Sequence, residues 1–132
     1  MQPVRIWLLA VVLALAACGS SSKPVKPAST KKATPGVQLG LATWYGGKHH
    51  GGPTASGERF NKRALTAAHR TLRMNTRVRV TNRKNGKSVV LRINDRGPYG
   101  NAKRIIDVSE RAAEILDMIE AGVVPVKVEV LK

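Results

Sequence analysis

Two carboxylates stand alone in a strongly basic stretch of this chain. Between Gly19 and Ile106 there are 19 lysines and arginines but only two acids, Glu58 and Asp95. The other six acids begin at Asp107 and fall mostly on one helical stretch. Glu58 follows the flexible run Gly-Gly-Pro-Thr-Ala-Ser-Gly, and Asp95 stands at a strand end before Arg96-Gly97-Pro98. Site residues concentrate where strands give way to loops. His69, after Thr66-Ala67-Ala68, is the third candidate. A carboxyl can give one proton and take another, and an imidazole can orient a carboxylate or bind a ligand. Asp95, Glu58 and His69 are therefore candidate site residues, of the types that general acid/base chemistry uses. Against it, Arg92 and Arg96 flank Asp95, and a cation close to a carboxyl makes it a poor proton donor. Asp95 and Arg96 would then only pin the Arg-Gly-Pro turn. Trp44 and Tyr45 offer flat faces to a ligand or bulk to a core, and both readings stay open. The pair His49-His50 does not suggest a metal site, because adjacent side chains on an extended segment point apart. No metal or cofactor is expected.

The elements that must position these residues are short strands. Leu39, Ala42, Trp44 and Tyr45 predict a first strand that ends at Gly46-Gly47. Residues 46–57 hold five glycines and Pro53, which predicts a loop. Val78 and Val80 alternate with Arg77, Arg79 and Thr81, the period of a half-buried strand. Asn85-Gly86 is a hairpin turn, since both residues accept positive φ. After it, Val89, Leu91 and Ile93 alternate with Val90, Arg92 and Asn94. Ile105, Ile106 and Val108 form another short strand. Ser109 is a helix N-cap with Glu110 in the first turn, and Ala112, Ala113 and Leu116 carry an apolar face to about Ile119. Gly122 closes that helix, and Val124, Val126, Val128 and Val130 alternate through a last strand. About six strands and one or two short helices in residues 38–132 make a mainly β domain, a small barrel.

The chain has 132 residues, a formal net charge of +15 and one cysteine. That length allows one ordinary domain. The charge points to an anionic partner, and the single cysteine excludes an internal disulfide and a cysteine-based zinc cluster. Aromatic residues are only 4%, too few for the stacking platforms of single-strand nucleic-acid binders. Residues 1–17 read as a signal peptide, with Arg5 ahead of an apolar run from Ile6 to Ala17. That run is too short to span a bilayer as a helix. It ends in Leu15-Ala16-Ala17-Cys18-Gly19, which resembles a bacterial lipobox, so Cys18 is expected to be acylated and to anchor the mature chain in a membrane. Gly19, in place of a retaining aspartate, favours the outer membrane facing the periplasm. Residues 18–37, rich in Ser, Pro, Thr and Lys, then read as a disordered tether. For an anchored domain the accessible anions are cell-wall or lipid groups, and no nucleic acid is expected.

Several motifs resemble the rare lipoprotein A family. They are Leu41-Ala42-Thr43-Trp44-Tyr45-Gly46, Thr54-Ala55-Ser56-Gly57-Glu58, Thr66-Ala67-Ala68-His69, Val78-Arg79-Val80-Thr81-Asn82 and Asn94-Asp95-Arg96-Gly97-Pro98, continuing through Arg104-Ile105-Ile106-Asp107-Val108-Ser109. The resemblance implies a six-stranded double-psi β-barrel and an endolytic lytic transglycosylase acting on peptidoglycan glycan strands. It implies a catalytic set matching Glu58, His69 and Asp95, with Asp95 as general acid/base by analogy with related barrels. Trp44, Tyr45 and Arg96 would touch substrate. Cell-division or wall-synthesis proteins enter as further partners. Many members add a C-terminal peptidoglycan-binding domain; none follows within these 132 residues, which leaves septal targeting open. The other reading is a non-catalytic, expansin-like wall binder on the same fold.

Overall fold

A computed structural model describes residues 36–131. The stretch read as a signal peptide, Cys18 and the stretch read as a tether, as far as residue 35, lie outside the described residues. No helix among the described residues is long and apolar enough to cross a membrane.

Six strands form the domain: β1 (Val37–Tyr45), β2 (Thr66–His69), β3 (Arg77–Asn82), β4 (Ser88–Asp95), β5 (Arg104–Ser109) and β6 (Val123–Val130), with one helix, α1 (Glu110–Ile115). They close into a barrel in the order β1-β5-β2-β4-β3-β6. Two pairings are parallel, β1 with β5 and β2 with β4, and the others are antiparallel. The period-two valines do what their alternation demands. Val78, Val80, Leu91, Ile93, Ile106, Val108, Val124, Val126 and Val128 fill one core, and Ala112, Ala113, Leu116 and Met118 join it. Burying each of the larger side chains stabilises the fold by roughly 1.5–3 kcal/mol. The arginines of β3 point outward.

Four details depart from the sequence pattern. β1 opens at Val37, which pairs with Glu129 inside the stretch read as tether. β2 has no alternation, because all four of its residues are buried. Asn94, expected outward, is 2% exposed; the loop carrying Glu58 covers it. The helix stops at Ile115 rather than near Ile119, since Asp117 takes a φ of 54° and turns the chain out of the helix. Ser109 caps it as its type predicts, accepting from the Ala112 N–H.

Gly40 reveals how tightly β1 lies against β5. A Cβ there would stand 2.7 Å from Ile105 Cγ2. Gly40→Ala is expected to lower the unfolding free energy by about 1–3 kcal/mol, read as a lower urea midpoint with unchanged slope.

Candidate active site

The site is a row of residues across four adjacent strands, on the face opposite the core. Thr43 of β1 lies beside Asp107 of β5, Asp107 beside Ala68 of β2, and Ala68 beside Asp95 of β4. Strands lie about 4.8 Å apart, so the two aspartate backbones are about 10 Å apart with only an alanine methyl between them. A bulge creates this register. Ala67 pairs with Ile93 and Ala68 with Asp95, so Asn94 is the extra residue that brings Asp95 opposite Ala68.

The loop between β1 and β2 walls a cavity of about 280 Å³ over this row; its lining includes Tyr45, His49, Phe60, Asp95, Arg96 and Asp107. The Tyr45 ring packs on Phe60 at 4.4 Å between centroids and edge-on to His49 at 5.8 Å. Its buried hydroxyl has no hydrogen-bond partner among the described residues, and burial raises its pKa well above the ordinary value, with Asp95 and Asp107 adding to the effect.

The two aspartates are held differently. Asp95 Oδ1 accepts from the backbone N–H of Ala55, at 2.9 Å, and of Arg96, at 2.8 Å. Asp107 accepts from the Thr43 hydroxyl at 3.1 Å. Burial pushes the Asp107 carboxyl up to about 6, and the Asp95 charge works in the same direction; the Thr43 hydrogen bond, His49 and Arg104 oppose it. An unfolded aspartate ionises near 3.8. Between that pH and 6 the folded chain therefore keeps a proton that the unfolded chain has lost. This residue's contribution to stability is full below about pH 4 and is lost as pH rises through 6. The displacement corresponds to roughly 3 kcal/mol. Urea unfolding at pH 4.5 and 7.5 should show that part of the decline in wild type and not in Asp107→Asn.

Glu58 and His69 do not line the cavity. The Glu58 carboxylate meets Arg92 at 2.9 and 3.2 Å and accepts from Asn94 Nδ2 at 2.5 Å. The Asn94 hydrogen bond and then Arg92 hold its pKa below the usual value, outweighing burial. Together with the Ser56 N–H to Asn94 carbonyl bond and the Ala55 bond to Asp95, these contacts latch the loop onto β4. His69 is buried, 3% exposed. Its Nδ1 accepts from the N–H groups of Thr71 and Leu72, and its Nε2 meets Gln38 Oε1 at 2.9 Å. Burial lowers its pKa, and Arg70 and Arg96 add to this.

The two arginines that flank Asp95 in sequence place their guanidinium groups on other partners. Arg92 is engaged by Glu58 and Asn75. Arg96 Nη1 donates to the carbonyls of Leu72, at 2.6 Å, and His69, at 3.2 Å. Trp44 packs against the core and donates its indole N–H to the Ile119 carbonyl, while Tyr45 faces the cavity. The residue that sequence reasoning passed over is Asp107. It was grouped with the helical acids, although it sits between Ile106 and Val108 in a strand pattern. Among the described residues no cluster of three or more His, Cys, Asp or Glu could hold a metal.

Comparison with known proteins adds the following. The family model described as lytic transglycolase matches residues 37–128. A relative from Rickettsia felis named endolytic peptidoglycan transglycosylase RlpA is 52% identical over 112 residues, 83% of this chain and 47% of its own length. One of the same name from Neisseria meningitidis serogroup B is 54% identical over 93 residues, 70% of this chain and 38% of its own. The chain thus spans less than half the length of these relatives. Among solved structures, a Streptomyces papain inhibitor superposes with a TM-score of 0.57 at 20% identity, covering 73% of this chain and 94% of that one. A Clavibacter michiganensis expansin in complex with cellohexaose superposes at 0.56 and 20% identity, covering 73% and 50%. At that identity the likeness is one of fold.

Proposed function

The chain belongs to the lytic transglycolase family, the double-psi β-barrels of the rare lipoprotein A type, and from that premise we propose that it cleaves peptidoglycan glycan strands by transglycosylation. The observation that carries this reading is the Asp107–Asp95 pair in one open cavity, with Asp107 ionising at about 6. A group that holds its proton close to neutrality is suited to general-acid work.

In the proposed reaction the bond from N-acetylmuramic acid to N-acetylglucosamine lies over Ala68. Asp107 protonates the leaving oxygen as the C1–O bond breaks. The 6-hydroxyl of the same muramoyl sugar forms the new C1–O bond and gives its proton to Asp95. A 1,6-anhydro ring results, and no water is consumed. Two backbone N–H groups on Oδ1 fix Asp95 and leave Oδ2 for that proton. Tyr45 forms part of the wall of the cavity in which the sugar would lie. Glu58 and His69 position the loop and turn around Asp95.

Mass spectrometry of soluble products from purified glycan tests this. Anhydromuramoyl ends are expected. Reducing ends would mean hydrolysis, and no release would mean the expansin-like binder. The envelope location rests on the lipobox: Cys18→Ser should abolish fatty-acid incorporation and membrane association, and equal incorporation would overturn the anchor.

A further inference from the structure

Tyr45, Lys48 and His49 form one side of the cavity over Asp107 and Asp95. A second hollow of about 340 Å³ lies beside it, between Trp44, Gly46, Gly47, Lys48 and Glu110, and shares Tyr45, Lys48 and His49 with the first. We propose that this hollow is a second sugar subsite, which holds one further hexosamine of the strand being cleaved. The proposal rests on the cleavage reading above for the identity of the polymer.

Shape supports it first. Gly46 and Gly47 leave the floor as bare backbone. A Cβ at Gly46 would stand 3.0 Å from the Trp44 ring and 3.4 Å from Glu110 Cβ, so glycine is what lets those two side chains close around this point. A Cβ at Gly47 would meet nothing within 4 Å. That is open space of the kind a pyranose ring needs. Chemistry supports it second. Trp44 supplies an apolar ring held in place by its bond to Ile119, and a fixed ring costs little further ordering when a sugar lies against it. Glu110 supplies acceptors for sugar hydroxyls. Its side chain is 27% exposed, and its contact with Lys62, at 4.0 Å, leaves the carboxylate available. Lys48 supplies donors from the shared wall. One carboxylate and one ammonium suit a polar, largely neutral ring better than a highly charged ligand. Continuity supports it third. A polymer lying over the aspartates must leave the cavity somewhere, and Tyr45, Lys48 and His49 border both spaces.

The test uses the full chain with peptide-free glycan fragments of two and four sugars, titrated calorimetrically in an Asp107→Asn background to stop turnover. Occupying the hollow should tighten Kd by about tenfold from disaccharide to tetrasaccharide. Gly47→Trp fills the hollow and Glu110→Gln removes its charged acceptor, and each should cut the step to about twofold. Glu110→Gln keeps the side chain's size, so a folding defect in the tryptophan variant would not leave the question open. A tenfold step that persists in either variant, or no step in the parent, overturns the subsite. A normal step alongside wild-type digests that contain no anhydro ends overturns the cleavage reading and leaves the subsite standing.

Discussion

Asp107→Asn is expected to slow glycan cleavage by about 10²–10⁴-fold, the range lost when a positioned general acid is removed. Asparagine keeps the size of the side chain and can still accept from the Thr43 hydroxyl, so the loss reads the proton and not the shape. The pH profile carries the same information. The wild-type rate should be highest with Asp107 protonated and should fall as pH rises through about 6. Asp95 raises that pKa and His49 lowers it. Asp95→Asn should therefore move the falling limb to lower pH in whatever activity remains, since a charge that raises the Asp107 pKa is gone. Wild-type rates in Asp107→Asn would remove it from the reaction altogether.

The second large effect separates two substitutions at one position. His69→Ala should cost on the order of 10²-fold in cleavage, because small misplacements of a reacting group are expensive. His69→Asn should stay within a few-fold of wild type. The imidazole's Nδ1 accepts two backbone N–H groups and so carries no proton of its own. Those bonds shape the turn whose carbonyls, at His69 and Leu72, receive the Arg96 guanidinium. Arg96 in turn gives its backbone N–H to Asp95. An asparagine Oδ1 falls near the place of that nitrogen and can accept the same donors, but it cannot act as an acid or base at neutral pH. Rates measured on purified glycan strands for both variants decide the matter. If asparagine is as damaging as alanine, His69 takes part in proton transfer and the positioning role is wrong.

The strands whose side chains alternate between core and surface were legible in the sequence: Val78 and Val80 of β3, Val124, Val126 and Val128 of β6 and the Val89, Leu91, Ile93 series of β4 face inward, whereas Val130, the last of the β6 series, is exposed. β2 was not legible as a strand, because burial on both faces erases the alternation that would mark it. The lone carboxylates were also visible, but what surrounds them was not. Glu58 finds Arg92 and Asn94 more than thirty residues away, a contact only the loop's fold-back creates. Asp95 reaches the cavity through one extra residue, Asn94, and no local pattern announces that bulge. Asp107 was hidden by its neighbours in sequence, since it directly precedes a helix rich in acids. What brings it to Asp95 is a strand order in which β5 and β4 both flank β2.

That same strand order governs how the domain can come into being. β1 is made first, yet its two neighbours are β5 and β6, and Val37 at its start pairs with Glu129 near the end of the chain. Most of the barrel's contacts join residues far apart in sequence, and folds built this way form slowly and all together. Until β6 arrives, β1 and β3 each present an open edge to any passing strand. A truncation that removes β6 would therefore leave an open sheet with two adhesive borders rather than a shorter barrel.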